Sequence, residues 1–369
     1  MKSTSKILTK TEDDLSSADN SNTMPPVDIV TFNELRSCAD LYRMVLNNQI
    51  EISPKFQRGV VWKNDDQTRF IDSLAKQLPI PSMCFGYDYK KEKRIVIDGL
   101  QRMTAIIKFL GVKENESDSK HTVDNWCLSK LDDVDEQLSG KWINDIKEQD
   151  ENLFSRIQNT SIPVTVIRCD LENKNHAEYI YKIFHRLNSG GIKLNNQEIR
   201  NCIYTGRFND LINDLAKDKL SIRVLKKKER FVSQEMILRF FAFFDNISIY
   251  TGKLSSFLND YMYSNRYLSD SEIIIKSRLY NDVLNFIIRN IIPEEKLPLS
   301  RTILEGLLYG IAKNIETLKF ETELLKIKTQ YTNFINSEQF NPENLKYSLS
   351  DKDKVIKRLS FAENCFSSR

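Results

Sequence analysis

Histidine is scarce in this chain and cysteine is scattered. Three histidines occur in 369 residues, His121, His176 and His185, none at metal-ligand spacing from another and none beyond position 185. A histidine-based metal centre in the C-terminal half is thereby excluded. Cys38, Cys84, Cys127, Cys169, Cys202 and Cys365 lie far apart with no CxxC pair. They argue against a disulfide framework or a zinc module and fit free thiols in a reducing compartment. No apolar run approaches the ~18 residues of a membrane span. The opening "MKSTSKILTKTEDDLSSADNSNTM" has no apolar stretch of the kind a secretory signal needs. The expectation is a cytoplasmic protein with no membrane partner. An excess of one charge is missing too, because 54 Lys+Arg stand against 51 Asp+Glu, a net charge of +3. Global attraction to a polyanion is therefore weak, and any basic surface must be local.

What remains is ordinary globular composition, 40% hydrophobic and 28% charged. The length suits about two domains at ~150 residues each. Residues 1–24 are polar and read as a flexible tail. "TFNELRSCADLYRMV" reads as a helix, with Thr31 and Glu34 at capping-box spacing and Leu35, Leu41 and Val45 as its apolar face. A short "IEI" strand follows. In "DDQTRFIDSLAKQL" the apolar Phe70, Ile71, Leu74 and Leu78 recur at helical spacing. "PSMCFGYDY" and "RIVI", joined by "KKEK", read as a β-hairpin leading straight into the helix "QRMTAIIKFL". Residues 111–160 carry twelve acids against six bases and read as an acidic insertion over the surface. "IPVTVIRC" resumes as a strand. The helix "NHAEYIYKIFHRLNSGG" ends at Asn188 and the Gly190-Gly191 pair, and Asn195 with Glu198 restarts one. From about 219 the segments "SQEMILRFFAFF", "GKLSSFLNDYM", "SDSEIIIKSRLYNDVLNFIIRNII", "RTILEGLLYGIAKNIETL" and "KDKVIKRLSFAENCF" all read as helices. The expected fold class is α+β, an α/β domain over 25–218 followed by an all-helical domain over 219–369.

The chemistry concentrates in "VIDGLQR", where a strand stops and a helix starts. A helix start carries unpaired N–H groups and a partial positive charge, and so attracts anions. Gly99 lets a bulky phosphate approach the backbone, and Arg102 offers a planar fork of donors one turn later. Asp98 could orient Arg102, hold Mg²⁺ or align a water. Gln101 and Thr104 add hydrogen-bonding groups. The plainer alternative makes Asp98 an N-cap and Arg102 a solvated first-turn residue.

Four ordered motifs add a resemblance. Phe56-Gln57-Arg58 with Trp62 comes first, and Ile71-Asp72-Ser73 with Pro79-Ile80-Pro81 second. Asp98-Gly99-Leu100-Gln101-Arg102 is the third, and Phe184, Arg186, Asn188 and Gly190 form the fourth. Over residues 25–210 this order resembles the N-terminal domain of GmrSD-type modification-dependent restriction enzymes, whose core is ParB/sulfiredoxin-like. The resemblance implies a nucleoside triphosphate, with Mg²⁺ as an optional companion, hydrolysed in an antiphage or restriction setting. Carried over by position, Asp98, Gln101 and Arg102 are the catalytic candidates. Gln57, Arg58, Gly99, Arg102, Thr104, Arg186 and Asn188 are the nucleotide-binding ones, and no metal-ligand set is assigned. Glu198 reads as a capping residue. Leu100 departs from the family pattern, which has Gln there, and this bears on hydrolysis more than on binding. A sulfiredoxin-type reductase would need a cysteine in this turn, and none is present. The HNH-like nuclease that such enzymes often carry needs histidines that the C-terminal half lacks, so any DNA cleavage would fall to a partner protein or to a cryptic carboxylate site.

Two functions stand ahead of a third, a nuclease in its own right, for which the metal ligands are wanting. One is an NTP-hydrolysing protein whose nucleotide state controls DNA engagement. The other is a non-enzymatic ParB-like switch that clamps DNA or protein on nucleotide binding. Arg223 to Arg230 is the densest basic run and lies at the expected domain boundary. Lys226, Lys227, Lys228 and Arg230 are therefore the candidate DNA-phosphate contacts. A homo-oligomer is left open.

Overall fold

The computed structural model describes residues 25–52, 62–111, 126–187, 194–226, 231–291, 300–321, 323–341, 343–345 and 349–367. They divide into two compact units, Met24–Leu194 and Asn195–Arg369.

The first unit is built on a five-stranded mixed sheet in the order β1-β5-β3-β4-β2. β3 (Met83–Asp88) and β4 (Lys93–Asp98) form the expected antiparallel hairpin. Its turn is closed by Asp88 Oδ1, which accepts the N–H groups of Lys90 and Lys91 at 3.1 and 3.3 Å. β5 (Ser161–Cys169) runs parallel to β3, and the two-residue β2 (Ile50–Glu51) parallel to β4.

β1 (Val30–Ser37) lies antiparallel on β5. Here the helix expected from Thr31 is corrected. The helix begins only at α1 (Cys38–Leu46), where Ser37 Oγ accepts the N–H of Asp40 at 3.0 Å. Capping-box spacing at Thr31 and Glu34 loses to pairing with β5, a tertiary contact that overrides local propensity. Leu41 and Val45 are buried as expected, whereas Leu35 is 72% exposed.

α2 (Asn64–Ala75), α3 (Leu100–Leu110), α4 (Ile143–Gln149) and α5 (Glu151–Asn159) complete the layer to which α1 belongs. The core here joins helix residues such as Leu41, Ile71, Ile106 and Ile157 to Phe85, Val96, Val164 and Val166 of the sheet. The 111–160 segment is no surface insertion in its described part. Trp126, Leu128, Val134, Leu138, Ile143, Ile146, Leu153 and Ile157 are all in that core. Acidic residues between them occupy the solvent side, and their number masks the apolar pattern. α6 (Lys174–Leu187) packs against β4 through an inward face that includes Ala177, Ile180 and Phe184.

In the second unit every regular element among the described residues is a helix. α7 (Asn196–Ile203) opens with the expected box, Asn195 accepting from Glu198 N–H and Glu198 from Asn195 N–H at 2.8 and 2.6 Å. α8 (Arg207–Lys217) and α9 (Lys219–Leu225) follow. Then come α10 (Val232–Asn246), α11 (Leu254–Ser264), α12 (Asp270–Phe286), α13 (Arg301–Leu318), α14 (Leu324–Ile335) and α15 (Lys352–Cys365). The sequence reading names no helix over 207–217 or 324–335. It places the change of character near 219, whereas the compact units divide after Leu194, since α7 packs on α10 and α11. α13 and α15 approach closely at Gly310, where a Cβ would meet the Ala362 carbonyl oxygen at 2.5 Å. Among the described residues no helix is long and apolar enough to cross a membrane.

Candidate functional site

The strand-to-helix turn after β4 is set by Gly99, whose φ of +97° is left-handed. A side chain there would be strained, and its Cβ would lie 2.8 Å from Met83 Cγ. Gly99 is the residue before α3 and provides no side-chain cap, and the first bond of the helix runs from Met103 N–H to Gly99 O at 2.9 Å. Asp98 is therefore not the cap that the plainer reading made it.

Asp98 ends the strand and Arg102 stands one turn into the helix, so the break brings them together. Arg102 Nη2 donates to Asp98 Oδ2 at 2.8 Å. Of the three roles open to Asp98, orienting Arg102 is the one this geometry displays. Nor is Arg102 a solvated first-turn residue, because its side chain is 12% exposed against 41% for Asp98. Burial draws the guanidinium below its ordinary value, and the charge and hydrogen bond of Asp98 oppose that shift. Arg102 also donates through Nη1 to Pro81 O, and through Nη2 to Ser82 O at 3.4 Å. It thus ties the end of the Pro79-Ile80-Pro81 segment to the start of α3.

Gln101 faces the other incoming segment. Its Oε1 accepts the Trp62 N–H at 3.4 Å, and Gln67 Nε2 of α2 donates to the Trp62 carbonyl at 3.3 Å. Gln67 is held in turn by Lys108, whose Nζ donates to Gln67 Oε1 at 2.7 Å and sits 4.1 Å from the centre of the Trp126 ring. Burial lowers the Lys108 ammonium from its usual value. Thr104 is buried, and its hydroxyl donates to Leu100 O at 2.9 Å within its own helix. Leu100, where the family pattern has Gln, is partly buried and packs against the core.

The turn therefore gathers Trp62 of the first motif, Pro81 of the second and the whole of the third. Ser82, Gln67 and Lys108 are participants that sequence reasoning missed, and Pro81, quoted there only as part of the second motif, joins them. Two of them act through main-chain carbonyls, which carry no side-chain signature. Arg186 lies on the exposed last turn of α6, the helix packed on β4. Gln57, Arg58 and Asn188 lie outside the described residues, as do Lys227, Lys228 and Arg230. Lys226 is half-buried at the end of α9 with φ +63°, and its carbonyl accepts from Ser233 Oγ at 3.4 Å.

Cys84 lies beside Asp98 in the sheet register, and burial and that charge push its thiol up to about 12, so it stays protonated. His176 is buried away from the turn. Its Nδ1 accepts the Asp170 N–H at 3.0 Å, so Nε2 carries the proton and donates to Asp28 Oδ1 at 2.9 Å. That bond holds the Asp28 carboxyl below its usual range. The arrangement fastens the chain before β1 to the start of α6.

Residues 40–205 match the family model described as the GmrSD restriction endonuclease, N-terminal domain. The chain is similar to that family over the segment that holds the turn. No curated protein and no solved structure matches the chain.

Proposed function

We propose that this chain is a restriction-system protein whose first unit, of ParB/sulfiredoxin-like type, binds a nucleoside triphosphate at the Asp98–Arg102 turn and hydrolyses it to control DNA engagement. One observation carries the reading. The segment similar to the GmrSD N-terminal domain contains a strand-to-helix turn at which Trp62, Pro81, Asp98, Gln101 and Arg102 converge. A helix start favours a phosphate, and Gly99 keeps Cβ bulk away from it. Asp98 Oδ2 is taken by Arg102, which leaves Oδ1 to align a water or to hold Mg²⁺. One carboxylate is enough for Mg²⁺, which keeps waters and binds the substrate's own phosphates. Arg102 supplies the charge-assisted donor for a phosphate oxygen, and Arg186 a second cation from α6. The basic run around Lys226 is assigned to DNA phosphates, and a partner protein to any cleavage.

A second reading has its own support. Gln101 already accepts from Trp62, and Arg102 donates to Pro81 and Ser82, so a nucleotide competing for the Trp62 N–H and the Arg102 donors would release two segments at once. That is the behaviour of a switch that needs no turnover, and Leu100 in place of the family's Gln points the same way.

Calorimetric titration with the four ribonucleoside triphosphates, followed by phosphate release with and without DNA, tests both readings. Binding with release supports the enzyme, and binding without release the switch. No binding of any of the four overturns the nucleotide reading altogether.

A further inference from the structure

The face of the sheet opposite the α1–α3 layer is half open. Ile167 and Cys169 at the end of β5 are buried, whereas Thr165 is half-buried and Asn33, Leu35 and Ser82 are exposed. Register places Asn33 beside Thr165, Thr165 beside Cys84, and Cys84 beside Asp98. Four strands at ~4.8 Å spacing make this row about 14 Å long. That is the scale of an extended nucleoside triphosphate.

Side-chain contacts follow the same line away from the turn. Arg102 reaches Ser82 O, Ser82 Oγ lies 3.1 Å from Thr165 Oγ1, and Thr165 donates to Asn33 Oδ1 at 2.9 Å. The single hydroxyl proton of Thr165 is spent on Asn33 and that of Ser82 is directed to Met83 O at 3.0 Å, so the two hydroxyls lie side by side with neither proton committed to the other. The two amide N–H groups of Asn33 are left as donors at the far end, next to Leu35 on the same face. Glu34 and Arg36 stand at the alternate positions of β1 and pair with each other at 2.7 Å on the helix-layer side. The row is thus charged at Asp98–Arg102 and neutral, polar and partly apolar beyond it.

Resting on the nucleotide reading above, we infer that the Ser82–Thr165–Asn33 row is the nucleoside half of the site. The triphosphate lies at the turn, and the sugar and base lie across β3, β5 and β1. The shape of the charge distribution matches the ligand, an anionic head on a neutral hydrogen-bonding body. Asn33 precedes the segment matched by the family model, whereas Ser82 and Thr165 fall within it, so β1 adds the outermost residue of this half of the site.

Titrating each ribonucleoside triphosphate against inorganic tripolyphosphate separates the two halves. The wild type is expected to bind at least one nucleotide more tightly than tripolyphosphate. Thr165→Val combined with Asn33→Ala, which removes up to two modest hydrogen bonds, should weaken that nucleotide about tenfold and leave tripolyphosphate unchanged. Asn33→Asp guards against misfolding, because a carboxylate still accepts the Thr165 proton while the amide donors are gone. It should show the same selective loss. Equal weakening of nucleotide and tripolyphosphate, or unchanged nucleotide affinity in folded variants, would reduce the row to cross-strand sheet contacts. A wild type that binds tripolyphosphate as well as any nucleotide also overturns the inference but spares the phosphate site. Binding of neither overturns both.

Discussion

The two units each contain an arginine–carboxylate pair at helical i,i+4 spacing, Asp98–Arg102 at 2.8 Å and Glu235–Arg239 at 2.7 Å. Their surroundings differ. Glu235 and Arg239 both lie within α10, where Arg239 also reaches Glu305 of α13 at 3.5 Å. Arg200 of α7, 1% exposed, comes within 3.8 Å of Glu235. It donates to Asn259, Gln197 and Ser255 at 2.8, 3.3 and 3.4 Å. This network is consumed in fastening α7, α10, α11 and α13 together. Asp98 and Arg102 straddle a break between strand and helix, and there the carboxylate keeps one oxygen outside the pair. The same two functional groups therefore serve as a rivet between helices in one unit and as the link across a strand-to-helix break in the other. Backbone geometry makes the difference.

The largest expected effect comes from breaking the rivet. Glu235→Gln leaves two buried guanidinium groups short of their counter-charge and should cost about 3–5 kcal/mol in urea unfolding. Nucleotide affinity at the turn should survive wherever the variant stays folded. Acid should mimic the change. Burial would raise the Glu235 carboxyl, but Arg239 and Arg200 outweigh it and hold it below its ordinary value. A depressed folded-state value contributes stability that is present above the unfolded value and is lost as pH falls through the folded one. Wild-type stability should therefore drop below about pH 4.3, and Glu235→Gln should show a shallower drop. Parallel acid profiles for the two proteins would remove Glu235 from the account.

At the turn the effects should be smaller and fall on binding as well. Arg102→Ala should weaken nucleotide binding by about 1.5–3 kcal/mol, or ten- to hundredfold. It should also lower thermal stability, because Pro81 and Ser82 lose their donor. Arg102→Lys keeps the charge but not the fork, and should restore only part of either quantity. Wild-type nucleotide affinity in a folded Arg102→Ala protein would make Arg102 a rivet like Arg239. Gly99→Ala should cost about 1–2 kcal/mol through its left-handed φ and the contact with Met83. An unchanged melting temperature would mean that the turn relaxes freely.

How much of this was legible depended on where the signal resides. The hairpin, the turn at Gly99 and the Asn195–Glu198 box were readable because side-chain identity dictates them locally. β1 was not, since Thr31 and Glu34 carry a helix-start spacing that only pairing with β5 defeats. The core residues between Trp126 and Ile157 were hidden among acids, because a net-charge count does not see which face each residue takes. Asp98, Gly99 and Arg102 were recognisable as a group, yet the hold of Arg102 on Pro81 and Ser82 was not. Those acceptors are carbonyls that any residue would supply.

The smallest expected change in affinity is also the one that separates catalysis from switching. Asp98→Asn preserves the shape of the side chain, and its amide oxygen can still accept from Arg102. Nucleotide affinity should therefore stay within about threefold, since only the charge assistance of one hydrogen bond is lost. The oxygen outside the pair is altered more deeply. An amide neither takes a proton from an attacking water nor offers Mg²⁺ an anionic ligand, so any turnover should fall by at least the ~10²-fold typical of losing a general base. Comparing affinity and phosphate release in one preparation gives the decision. Retained binding with abolished release places Asp98 at the chemistry. Retained binding with undiminished release leaves it only the task of orienting Arg102. Strongly weakened binding would show that the Asp98 charge, rather than the backbone at Gly99, builds the site, which would reverse the contrast drawn with Glu235 and Arg239.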